Sequence, residues 1–67
     1  MTKNERELVT VLEADIQKWE FIAGFFEHSV PEFEVIGGKK MSGSDYARGL
    51  RQLVAENRNL IEKVRNG

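Results

Sequence analysis

Few residues in this 67-residue chain could carry chemistry. His28 is the only histidine and cysteine is absent, which removes disulfides, thiolate ligands and cysteine nucleophiles. A serine nucleophile would have to be Ser29, Ser42 or Ser44 served by His28, in a cleft that so short a chain has too little core to build. Beside Glu27, His28 lacks a second ligand at suitable spacing, so no metal is expected. The run Gly37-Gly38-Lys39-Lys40 has the residue types of a phosphate-cradling loop. It lacks the Gly-x-x-x-x-Gly-Lys-Ser/Thr order, and no helix is predicted directly after the lysines. It reads as a turn with solvated basic residues. No catalytic residue and no cofactor are assigned, and the chain is not expected to be an enzyme.

Arginines and aromatics say more. Arg51, Arg58 and Arg65 recur every seven residues, with Arg48 nearby. Such a column is an ordinary solvated face, a recognition surface for an acidic protein, or a track for a phosphate backbone. Glu62 interrupts it and the net charge is only −1, which favours the solvated face and disfavours nucleic acid. Trp19, Phe21, Phe25, Phe26, Phe33 and Tyr46 gather toward one end of the molecule. Trp19 and Phe26 are assigned to the core. Aromatic and arginine side chains dominate interface hot spots, so Phe21, Phe25, Phe33, Tyr46, Arg48 and Arg51 are the candidates for partner contact. The competing reading has a dimer interface covering the phenylalanines.

Two long helices must position these groups. Residues 5–28 are free of proline and of glycine before Gly24, with Thr2 or Asn4 as cap and Glu5 and Glu7 suited to the first-turn dipole. Leu8, Leu12, Asp15, Trp19, Ile22 and Phe26 are spaced as a heptad seam, flanked by Val9, Val11, Ile16 and Ala23. Pro31 ends this pattern, and residues 29–43 form a connector. Within it, Phe33–Met41 reads as a short hairpin, Gly37-Gly38 supplying a two-residue turn, or as an irregular loop. A second helix over 44–65 is capped at Ser42 or Ser44, with Asp45 completing an approximate capping box. Its seam is Tyr46, Leu50, Leu53, Asn57, Leu60 and Val64, with Ala47, Val54 and Ile61 beside it.

The expected fold is all-α: one domain over 1–67, an antiparallel helical hairpin with a short turn or minimal β-hairpin connector. Only one register of the two seams sets Asp15 beside Asn57, where the amide would donate to the carboxylate; alternatives leave them solvated or in contact with a partner. Residues 5–28 carry six acidic and two basic groups, residues 44–67 three acidic and five basic, which suits antiparallel pairing. Both apolar stripes are too broad for a single contact. At this length shared apolar surface is the ready source of extra stability, so a homodimer forming a four-helix bundle is expected. No apolar run approaches the ~18 residues of a membrane span, and the polar N-terminus lacks signal-peptide order. The expected setting is cytoplasmic, with no membrane partner.

The layout of residues 5–28, the Val35-Ile36-Gly37-Gly38-Lys39 turn and the Ser42-Gly43-Ser44-Asp45 cap resembles small bacteriophage proteins. One such group is the dimeric helical-hairpin inhibitors of host regulators, including those that silence activators. The resemblance implies a non-enzymatic module that sequesters or occludes a host protein such as a transcriptional regulator, in the host cytoplasm. Small head–tail joining proteins, which also place a hairpin between two helices, imply a structural assembly role instead. A nucleic-acid-binding regulator is the third reading. The resemblance is architectural and carries over no functional residue.

Overall fold

Thr2 opens the first helix by a reciprocal exchange. Its hydroxyl accepts from the Glu5 backbone N–H at 3.1 Å, while the Glu5 carboxylate accepts from the Thr2 N–H at 2.9 Å. This satisfies two donors that a helix start otherwise leaves orphaned. In a computed structural model describing all of residues 1–67, α1 therefore spans Lys3–Ser29, two residues earlier than the apolar pattern suggests. A short ribbon follows, β1 (Glu32–Glu34) paired antiparallel with β2 (Lys40–Ser42), and then α2 (Gly43–Asn66). The molecule is a helical hairpin of 44 × 22 × 15 Å.

The connector is a true ribbon. Phe33 faces Met41 across it, and Val35 donates to the Lys39 carbonyl at 2.8 Å beyond the last strand pair. The turn therefore holds three residues, Ile36-Gly37-Gly38, not the two-residue Gly-Gly turn expected. Both glycines have positive φ, 96° and 78°, which a side chain would disfavour. Ser42 caps α2 by accepting from the Asp45 N–H at 3.0 Å. Gly43, directly after the cap, has its N–H donating to the Pro31 carbonyl at 3.2 Å. A Cβ on Gly43 would collide with the backbone carbonyls of Phe26 and Val30, so the first turn of α2 lies against the last turn of α1. No signal for that close approach was read from the sequence.

The two helices meet through rows adjacent to half of those expected. Val9, Ile16 and Ala23 of α1 and Ala47, Leu50, Val54, Asn57 and Ile61 of α2 are buried. Leu12, Trp19, Ile22, Tyr46 and Val64 pack half-buried around them, so Trp19 lines the core without being enclosed by it. Leu8, Leu53 and Leu60, assigned to the seam, are exposed. Each helix is thus turned by about one residue position, bringing in the rows first read as flanks. The physical reason lies in the rows themselves. Leu8-Asp15-Ile22 would have carried a carboxylate inward, which is costly without a partner. Val9-Ile16-Ala23 carries none, and its small and β-branched members let the helices approach closely. Ala23 and Ala47 lose all their exposure where Gly43 draws the chains together.

Gly43 and Gly24 should therefore respond oppositely to alanine. Gly43→Ala must push apart two backbones and should lower unfolding free energy by about 3 kcal/mol or more, beyond ordinary overpacking. Gly24, inside α1 with nothing within 4 Å of an added Cβ, should gain roughly 0.5–1 kcal/mol on the same change. Urea denaturation of the two variants against the parent protein reads both values.

Candidate functional site

Seven-residue spacing on both helices builds one flank of the hairpin. Glu13, Glu20 and Glu27 climb α1 while Arg65, Arg58 and Arg51 descend α2, and the antiparallel arrangement matches them one to one. Arg51 holds Glu27 through two contacts of 2.5 and 3.3 Å, Arg58 meets Glu20 at 2.5 Å and Arg65 meets Glu13 at 3.3 Å. The arginine column stays largely exposed, as expected of a solvated face, and is also the basic half of an intramolecular ladder. Arg51, a candidate for partner contact, is held by Glu27 and keeps about half of its side chain exposed. The bidentate pair holds the Glu27 carboxyl below its ordinary pKa by the Arg51 hydrogen bond, and raises that of Arg51 in return. Glu5 is likewise lowered, by its hydrogen bonds to Thr2.

At the ribbon end, Phe26, Phe33 and Tyr46 form a triangle. Ring centroids lie 4.5 Å apart for Phe26–Tyr46, 5.1 Å for Phe26–Phe33 and 5.3 Å for Phe33–Tyr46, the latter two edge-on. Such pairs add about 0.5–1.5 kcal/mol each beyond burial. Phe33 and Tyr46 are half-buried here, fastening the ribbon to both helices, so their principal contacts are internal. Phe25 touches the triangle's edge through Phe26 at 5.8 Å and remains 54% exposed. Phe21 stands apart at 79% exposure. Arg48 is exposed and pairs with Asp45 at 3.5 Å one turn away. His28 reaches Glu27 at 3.5 Å on the surface. Of the six candidates, the structure joins Phe33 and Tyr46, places Phe25 at their rim, and leaves Phe21 and Arg48 separately in solvent. Ile36, wholly exposed at the turn tip, was not among the candidates, although its place beside Gly37 made a loop tip foreseeable.

The flank opposite the ladder is apolar. Leu8, Leu53 and Leu60 lie on it, each more than 40% exposed, with Val11 and Phe25 extending it round α1. Asp15 sits half-buried among them. The expected hydrogen bond from Asn57 is not made: Asn57 is 9% exposed and its Nδ2 has no partner. The turning of both helices explains the miss. Asn57 moved fully inward beside Val54 and Ile61, while Ile16 rather than Asp15 took the inward place on α1.

No group of three or more His, Asp or Glu side chains is arranged to hold a metal, and the hollows of the surface are open grooves. No helix is long and apolar enough to cross a membrane. No protein-family model matches the chain, and neither a curated protein nor a solved structure matches it.

Two measurements test this geometry. A buried amide donor without a partner costs about 1–3 kcal/mol, so Asn57→Leu should raise unfolding free energy by a similar amount in urea titration. Glu27, its pKa depressed by Arg51, adds stability that is fully present above the ordinary glutamate value of about 4.3. That contribution is lost as pH falls through the lower folded value. Glu27→Gln should lower the melting temperature at neutral pH and narrow the difference between neutral pH and about pH 3.

Proposed function

We propose that this chain is a non-enzymatic protein-binding module that acts as a homodimer in the cytoplasm and occludes or sequesters another protein. The observation that carries the reading is the division of the hairpin into a flank closed by three ion pairs and a flank of uncovered leucine, valine and phenylalanine. Contiguous exposed apolar surface on a small domain marks association. Pairing two hairpins through that flank, as a four-helix bundle, uses it in the simplest symmetric way. Phe21, Ile36 and Arg48 lie outside the flank and are the groups left for a second kind of protein.

The resemblance to phage-encoded hairpin inhibitors supports a host transcriptional regulator as the class of target. The ladder weakens the nucleic-acid reading, because the arginines that would follow a phosphate backbone already face glutamates. Immobilised protein should enrich one host protein from lysate. Phe21→Ser or Ile36→Ser should reduce that enrichment at least ~10-fold, as loss of an exposed anchor does, with unchanged helical circular dichroism. Rings or larger assemblies by light scattering, with no enriched protein, would replace this reading with the structural assembly one.

A further inference from the structure

On the uncovered side of α1, Leu8, Val11, Asp15, Lys18, Ile22 and Phe25 follow one another at intervals of three and four residues. They form a second row beside the one that packs on α2, sharing with it Ile22, which is half-buried against Ala23, Ala47 and Leu50. Its order is a palindrome in kind: two apolar residues, an acid, a base, two apolar residues. Its centre, between Ile16 and Gln17, falls within one residue of the middle of Lys3–Ser29. Neither Asp15 nor Lys18 makes an ion pair or side-chain hydrogen bond within the chain, although every other acidic residue of α1 from Glu13 onward does.

We infer that the occupant of this face is a second copy of the chain, with α1 lying antiparallel on the partner's α1 about a two-fold axis at their shared midpoint. This rests on the homodimer of the proposed function and specifies its face and register. Leu8 then meets the partner's Phe25, Val11 the partner's Ile22, and Asp15 the partner's Lys18, each contact repeated by symmetry. The charges close the centre and the apolar pairs close both ends. Charge complementarity selects this arrangement. A parallel pairing sets Asp15 against the partner's Asp15, a like-charge contact. Laying α1 on the partner's α2, with Leu8 at the level of the partner's Lys63, brings Asp15 against the partner's Glu56. The equivalent row of α2, Tyr46-Gly49-Leu53-Glu56-Leu60-Lys63, is not self-complementary, since its antiparallel pairing sets Leu53 against the partner's Glu56. In the α1 arrangement the two ribbons project from opposite ends of the dimer. Each carries its own Ile36 tip, so the dimer is bivalent.

Sedimentation equilibrium across the micromolar range provides the test, using Asp15→Lys, Lys18→Asp and an equimolar mixture of the two. The parent chain should be a dimer. Each variant alone faces like charges twice across the axis and should dissociate ~10-fold or more readily. The mixture should recover dimer, and native mass spectrometry should find it predominantly the mixed pair. A parent dimer whose stability neither substitution alters would overturn the face and register while leaving self-association intact. A parent chain monomeric throughout would remove the dimer and this inference together. Helical circular dichroism of each variant separates a weakened dimer from a chain that does not fold.

Discussion

The fold depends on how near the two helices come at the ribbon end. Gly43 has no Cβ, and so the first turn of α2 rests on the carbonyls that finish α1. Ala23 and Ala47 are the fully buried residues that follow from this contact. Once the axes are that close, the two alanines fill the nearest approach, and Leu50 is the one leucine buried beside them. The rows that face inward are those richest in alanine, valine and isoleucine, with Leu50 and Asn57 beside them on α2. Leucines of the adjacent rows are displaced to one side and the glutamate and arginine columns to the other.

That single constraint explains why the ion pairs matter more to specificity than to stability. Exposed pairs contribute little individually, commonly under about 1 kcal/mol. Three in a row, at matching heptad intervals, still distinguish the observed rotation from its neighbour. Turning either helix by one residue would separate the charges, and turning α1 would carry Asp15 toward the core. Packing and electrostatics therefore favour the same rotation, and agreement between levels of this kind is what gives a short chain a single structure.

The sequence disclosed the elements well and their orientation less well. Helix boundaries, the antiparallel hairpin, the Ser42 cap and the acidic-against-basic division all follow from local composition and spacing. The inward rows did not. Hydrophobicity alone ranks leucine above alanine, so Leu8, Leu53 and Leu60 looked like core while Ala23 and Ala47 looked like margin. Periodicity fixes the face of a helix only to within its apolar arc, and both arcs here are wide. The missing information lay in two places that pattern reading treats as neutral. One was Gly43, a residue that looked like part of a cap and is the point of contact. The other was the matched heptad of glutamates on α1, which makes the exposed arginine column a register as well as a surface. Phe33 and Tyr46 were noticed for their chemistry, but only the ribbon's geometry showed that they face each other rather than outward.

Asn57 shows what the arrangement leaves unresolved energetically. An orphaned amide among Val54 and Ile61 is unfavourable in the isolated hairpin, yet an apolar residue there would make the core uniform along α2. A uniform core of short β-branched and small residues tolerates sliding by a heptad, since every seventh layer resembles the last. One polar layer removes that degeneracy, because any slipped register moves the amide against a different neighbour. The same logic applies to the outer face of α1, where Asp15 and Lys18 interrupt an otherwise apolar row at its midpoint. In the proposed pairing, as in the core, a local loss of hydrophobic burial distinguishes one alignment from its repeats. A chain of 67 residues, with no cysteine to staple it, relies on such an interruption to specify its own fold.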